Sequence, residues 1–217
     1  MSAPACVDVA LRDGSGHVSL PTGAGLPGDV SQVLSLLRRE RASLGTWVSI
    51  GAEYYLAGKL GEALELFLAA ENAAKDDALR ADDEQGAVAI KVALGTYYSR
   101  EAIAARRRGG DEVEAARLTE LAQQHLAASL NFGHIDSDLP WLGDGLFQLS
   151  CQKDFRAARS RFDAALDLSD KKSHFGLLGM ACCQFRKGNY EMALGSYVEA
   201  LKTPEKCSPA VRVGLAH

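Results

Sequence analysis

Cysteine, proline and tryptophan are scarce in this chain, and basic residues are outnumbered by acidic ones. The 217 residues include five cysteines, six prolines and two tryptophans, with 24 Lys and Arg against 28 Asp and Glu. Cys6, Cys151, Cys182, Cys183 and Cys207 are odd in number and scattered, without a C-x-x-C pair. A disulfide scaffold or thiolate zinc site is excluded, and reduced, mostly buried thiols of a cytosolic or nuclear protein are expected. A net charge of −4 argues against direct nucleic-acid binding, which selects for a basic surface. No apolar run approaches the roughly 20 residues of a membrane span. The opening stretch, MSAPACVDVALRD, contains acids where a secretory signal would have an apolar core. Apolar residues at 47% and charged ones at 24% suit a packed core and exclude wholesale disorder.

Recognisable catalytic chemistry is missing too. Gly23, Gly25 and Gly28 satisfy G-x-G-x-x-G. A dinucleotide site needs a strand before that loop, a helix after it and a parallel strand beyond. Only helix signals follow, and Pro27 lies inside the loop, so the match reads as a decoy in a flexible linker. His134, Asp136 and Asp138 crowd one loop, residues 131–139. They lack a fourth partner and read as turn chemistry rather than a metal site. With no nucleophile–base pair, the chain is expected to be no enzyme and to need no cofactor, metal or small-molecule substrate.

What is present is a repeated helical hairpin. In residues 174–204, Leu177, Met180 and Ala181 recur at helical spacing, and Lys187-Gly188-Asn189 breaks the pattern. A second stripe follows, comprising Ala193, Leu194, Tyr197, Ala200 and Leu201. Small residues at Ala181 and Ala193 let two helices approach closely. Ala158, Phe162 and Ala165 repeat the signature of Ala193, Tyr197 and Ala200 at a spacing of 35 residues. Trp47, Ile50, Gly51, Tyr54, Ala63, Phe67 and Ala70 supply the whole pattern once more. These are the keyed positions of the tetratricopeptide repeat, a helix–turn–helix unit of about 34 residues. One unit cannot bury its own apolar face, so neighbours must stack on it.

The expected fold is therefore all-α, a right-handed tetratricopeptide superhelix (an α-solenoid) preceded by a short extended segment. Residues 1–28 are read as extended and flexible, with one β-like piece at Val7–Leu11. A leading helix takes 29–43, opened by an Asp29/Gln32 capping box and striped by Val30, Val33, Leu34 and Leu37. Four repeats take 44–207, the second with a long insertion, and the polar stretch 72–86 reads as a connector. Arg38, Arg39 and Arg41, like Arg106, Arg107 and Arg108, fall near helix C-termini, where cations complement the dipole. Residues 208–217 read as the start of a fifth repeat, and the chain as the beginning of a longer array.

Three stretches carry a family resemblance. VDVALRD (7–13), the run from LPGDVSQVLSLL through ALELFLAA (26–70) and GNYEMALGSYVEALKTPEKCSPAVRVGLAH (188–217) resemble the tetratricopeptide scaffold subunits of the RNA polymerase II-associated factor (PAF) complex. The long insertion in repeat 2 and the β piece before the repeats belong to the likeness, while residues 13–25 and 72–86 depart most from it. The resemblance implies a nuclear, non-catalytic scaffold. Its partners would be the other subunits of that complex and, directly or indirectly, RNA polymerase II. Its role would be in transcription elongation and co-transcriptional histone ubiquitination and methylation.

Two other readings compete. One is a repeat array serving a catalytic domain beyond residue 217, as in some glycosyltransferases. The other is a co-chaperone clamp, which needs Lys and Asn where this chain has Val48, Ala52 and Val92. Applying the repeat register to each first helix gives an apolar concave face for a partner chain: Val48, Tyr55, Val88, Lys91, Tyr98, Phe147, Phe175, Leu178 and Phe185. Tyr55, Tyr98, Phe147 and Phe185 are its expected anchors.

Overall fold

A computed structural model of the protein describes residues 6–11, 16–109, 111–132 and 137–202. The fold is an all-α helical repeat with ten α-helices and one two-stranded sheet among these residues. The chain divides into two units, residues 1–97 and 98–217. His134, Asp136, Cys207 and the proposed fifth-repeat start at 208–217 lie outside the described residues.

The first unit opens with a hairpin. Strand β1 (Cys6–Ala10) pairs antiparallel with β2 (His17–Pro21), setting Val7 against Leu20 and Val9 against Val18. Alternation puts all four apolar side chains on one face, and Val9 is fully buried. That face explains why residues 17–28 are not the flexible linker expected from their glycines. They form a strand and a 3₁₀ turn (Gly23–Gly25), and Val7 and Leu20 gather with Leu26, Val33, Ile50 and Tyr54 around one small apolar recess.

Helix α1 (Val30–Arg39) starts at Asp29, whose carboxylate accepts the Ser31 N–H at 2.9 Å. Its stripe of Val30, Val33, Leu34 and Leu37 is buried. Helices α2 (Leu44–Leu56) and α3 (Leu60–Ala73) form a hairpin turned by Gly58 at φ +78. A Cβ on Gly51 would lie 2.4 Å from the Phe67 ring, so only glycine lets α2 and α3 close to this distance. Trp47 is buried beside them, its indole N–H donating to the Ala42 carbonyl at 3.3 Å. The Tyr54 hydroxyl donates to the Pro27 carbonyl at 2.8 Å, pinning the approach to α1.

The stretch read as a connector holds a short helix, α4 (Asp77–Asp82), before α5 (Glu84–Arg107) begins. The cause is local: Asp76 caps it by accepting from the Ala78 and Leu79 amides at 3.0 and 3.4 Å. Asp83 then serves two helix starts at once. Its carboxylate accepts the Gly45 N–H of α2 at 2.7 Å and the Gly86 N–H of α5 at 2.8 Å. Amides at a helix N-terminus point outward and carry partial positive charge, so one anion satisfies both. Asp83→Ala is expected to cost about 1–2 kcal/mol, read as a lower melting temperature with unchanged helical content at 20 °C. An unshifted melt would show that water replaces the carboxylate at no cost.

In the second unit α5 runs on to Arg107 and Gly109 turns the chain at φ +66. Helix α6 (Glu112–Leu130) is capped by Asp111, which accepts the Val113 N–H at 2.9 Å. Helix α7 (Leu139–Phe147) widens into a π-helical turn, Gln148–Gln152, and stops at Lys153, φ +56. Helices α8 (Phe155–Leu168), α9 (His174–Arg186) and α10 (Tyr190–Lys202) complete it.

Their core sets buried alanines and two glycines around the Phe162 ring. Ala158, Ala165, Ala181 and Ala193 are buried, and Phe162 inserts between Gly145 of α7 and Gly179 of α9. In α10, Ala193, Tyr197 and Ala200 face this core, but Leu194 and Leu201, placed in the same stripe by sequence, are exposed. Residues adjacent in sequence turn by about 100° on a helix, so Leu194 rotates out when Ala193 is fixed inward.

Candidate partner-binding surface

The residues expected on a concave face separate into three groups. Val88 and Phe147 are each only 1% exposed. Phe147 packs with Ala122, Leu126 and Cys151, and Tyr98 and Ile103 flank that cluster. Neither Val88 nor Phe147 is accessible to a partner, which corrects the reading of both. The register gave the right helix, but short neighbours such as Ala122 leave room for the Phe147 ring inside the fold.

A second group is half-buried and already engaged. Tyr55 meets Tyr97 edge-on, with ring centroids 6.4 Å apart. Tyr98 stacks on His125 at 5.6 Å and 20°. Lys91, the one charge on the expected face, pairs with Glu71 at 2.6 Å, so it offers little net charge to a ligand. Val48 is half-buried on α2.

The third group lies on α9. Phe175 is 60% exposed and Phe185 39%, with Leu178 half-buried between them in sequence. The three fall within about 80° of one helical face. Phe175 leans edge-on against His174 at 5.6 Å, and Phe185 against Tyr190 at 5.2 Å. His174 is itself anchored by a contact of its Nδ1 with the Ala200 carbonyl at 3.1 Å. The exposed rings are thus held by neighbours, which lowers the entropy lost when a partner docks.

A surface the repeat register did not reveal is a groove of about 730 Å³ in the second unit, lined by Arg106, Arg107, Lys153 and Arg186. Arg106 and Arg107 were read in sequence as cations at a helix end, and nothing in the linear order brings Lys153 and Arg186 to the same place.

Cys183 and Tyr197, which face the core from α9 and α10, are both held in their protonated forms. Burial, and then the adjacent Cys182, pushes the Cys183 thiol up to about 11. Burial, and then the hydrogen bond with Cys182, pushes the Tyr197 hydroxyl up to about 12. An unfolded tyrosine ionises near pH 10. Below about pH 10 both states keep the proton and the group leaves stability flat. Between about pH 10 and 12 the unfolded chain loses it while the folded chain keeps it, so stability falls as pH rises. Tyr197→Phe is expected to remove part of the alkaline decline in melting temperature. Ultraviolet titration should show a late-ionising tyrosine that the variant lacks, and a wild-type titration complete by pH 11 would contradict the burial argument.

Among the described residues no group of three His, Cys, Asp or Glu could hold a metal ion. None of the described helices is long and apolar enough to cross a membrane.

No protein-family model matches the chain. A curated protein, Protein CTR9 homolog of Arabidopsis thaliana, is 30% identical over 195 residues, 88% of this chain. The match covers 17% of that protein, so the chain spans about a sixth of the length of its relative.

Proposed function

We propose that the chain is a CTR9-like, non-catalytic scaffold that binds other subunits of a PAF-type complex in the nucleus and supports RNA polymerase II elongation and the histone ubiquitination and methylation coupled to it. The observation that carries this reading is 30% identity sustained across 88% of the chain. A chance likeness between helical repeats would be confined to short runs around the keyed small and aromatic positions, not sustained over 195 residues. The exposed rings of α9 support a binding role, because solenoids present such faces to partner chains. The four-repeat division of residues 44–207 belongs to the same proposal: α2/α3, α5/α6, α7/α8 and α9/α10 would be its helix pairs.

The test is affinity capture of the tagged chain from nuclear extract, followed by mass spectrometry. Enrichment of PAF-type subunits with RNA polymerase II is the expected result. Enrichment of chaperones alone, or of a metabolic enzyme, would overturn the proposal.

A further inference from the structure

We propose that the groove of the second unit is a docking site for an acidic peptide segment with an apolar anchor. The proposal rests on the scaffold reading above and names the chemistry of one partner segment. Arg106, Arg107, Lys153 and Arg186 line the groove, and among the described lining residues none is acidic. The cations come from the last turn of α5, the residue ending the π turn, and the last residue of α9. Three helix ends thus face one cavity. Each end contributes only about half a negative charge, so four cations leave the groove positive.

Arg106 is occupied. It donates to the Cys151 carbonyl at 3.4 Å and to Thr119 Oγ1 at 3.1 Å, and Glu112 lies 4.0 Å from its Nε. Its role is to brace α5 against the π turn. Arg107, Lys153 and Arg186 carry the free charge. Ile103, Leu149 and Phe155 supply the apolar lining. A volume of about 730 Å³ matches sites that enclose a few side chains.

Charge and apolar floor together select the ligand. A carboxylate-rich peptide with one or two large apolar residues satisfies both, whereas a phosphate ion leaves the floor uncovered. A long polyanion such as RNA would extend beyond the groove onto a chain of net charge −4, which repels it.

The experiment uses the 217-residue chain and a short fluorescein-labelled peptide, a Leu-Phe pair flanked by Asp and Glu, read by fluorescence anisotropy. Its control replaces every Asp and Glu by Asn and Gln. The acidic peptide should bind and weaken as salt rises from about 0.05 to 0.2 M, as screening requires. Lys153→Glu and Arg186→Glu should each weaken it about 5-fold, and the pair more than about 20-fold. Arg186→Gln and Lys153→Ser, milder changes on the exposed rim, guard against misfolding, with circular dichroism as the check. Absence of acidic-peptide binding, equal binding of the neutral peptide, wild-type affinity in the charge-reversed pair, or tighter binding of oligouridine that displaces the peptide would each overturn the proposal. Capture of PAF-type subunits without peptide binding fails the groove alone. Peptide binding without those subunits fails the family reading alone.

Discussion

Phe162→Ala should lower the stability of the second unit by about 3–5 kcal/mol, the range for emptying a buried aromatic site. The ring is 1% exposed and has no route to collapse. On one side a Cβ at Gly145 would stand 2.7 Å from it, and on another a Cβ at Gly179 would stand 2.4 Å away. Three helices are therefore set to the thickness of one ring, and removing it leaves a void that α7 and α9 cannot both fill. For a unit of 120 residues each kcal/mol moves the melting temperature about 3–6 °C, between the values for smaller and larger domains, so a fall of about 9–30 °C is expected. The reverse error is also costly. Gly179→Ala gains up to about 1 kcal/mol of helix propensity, but overpacking a confined ring costs about 1–3 kcal/mol, for a net loss. Because Phe162 and Gly179 touch, Phe162→Leu should partly rescue Gly179→Ala, a coupling that a double-mutant cycle measures. A melt within about 2 °C of wild type for Phe162→Ala would mean that the ring does not set the spacing.

The glycine–aromatic contact shows which parts of the structure were legible in sequence. Gly51 and Phe67 are both keyed repeat positions, and the structure presses one against the other. Gly179 and Phe162 make the same kind of contact between helices that the pattern treats separately, so periodicity marks each residue without naming its neighbour. The buried face of α1 was readable because Val30, Val33, Leu34 and Leu37 follow helical spacing. The hairpin of β1 and β2 was half-hidden: Val18 and Leu20 alternate over only five residues, beside three glycines that read as a loop. The π turn at Gln148–Gln152 has no linear signal at all. The candidate surface was legible only as a register. Register fixes which side of α7 Phe147 occupies, but not whether small side chains opposite it make a slot deep enough to bury the ring. The cation groove lay beyond reach for a related reason, since Arg107, Lys153 and Arg186 end different helices and meet only in three dimensions.

Phe175→Ala combined with Phe185→Ala should weaken capture of a PAF-type partner by at least about 100-fold. The estimate starts from a single aromatic anchor, worth about 2 kcal/mol or more at a docked surface, or about 30-fold in affinity. Two anchors on one helix share part of that energy, so the sum is a ceiling near 1,000-fold and not a simple product. Both rings are exposed, at 60% and 39%, and exposed substitutions ordinarily move stability by about 0.5 kcal/mol or less. A lost interaction can therefore be read as binding rather than unfolding. Phe147→Ala offers no such reading: it opens a cavity among Ala122, Leu126 and Cys151 and would weaken capture by damaging the fold. The measurement is a titrated pull-down from nuclear extract with melting curves taken in parallel. Unchanged melts with lost capture place the partner on α9. Wild-type capture by the double variant would remove α9 from the interface, and lost capture with a melt lowered by more than about 5 °C would return these rings to the core.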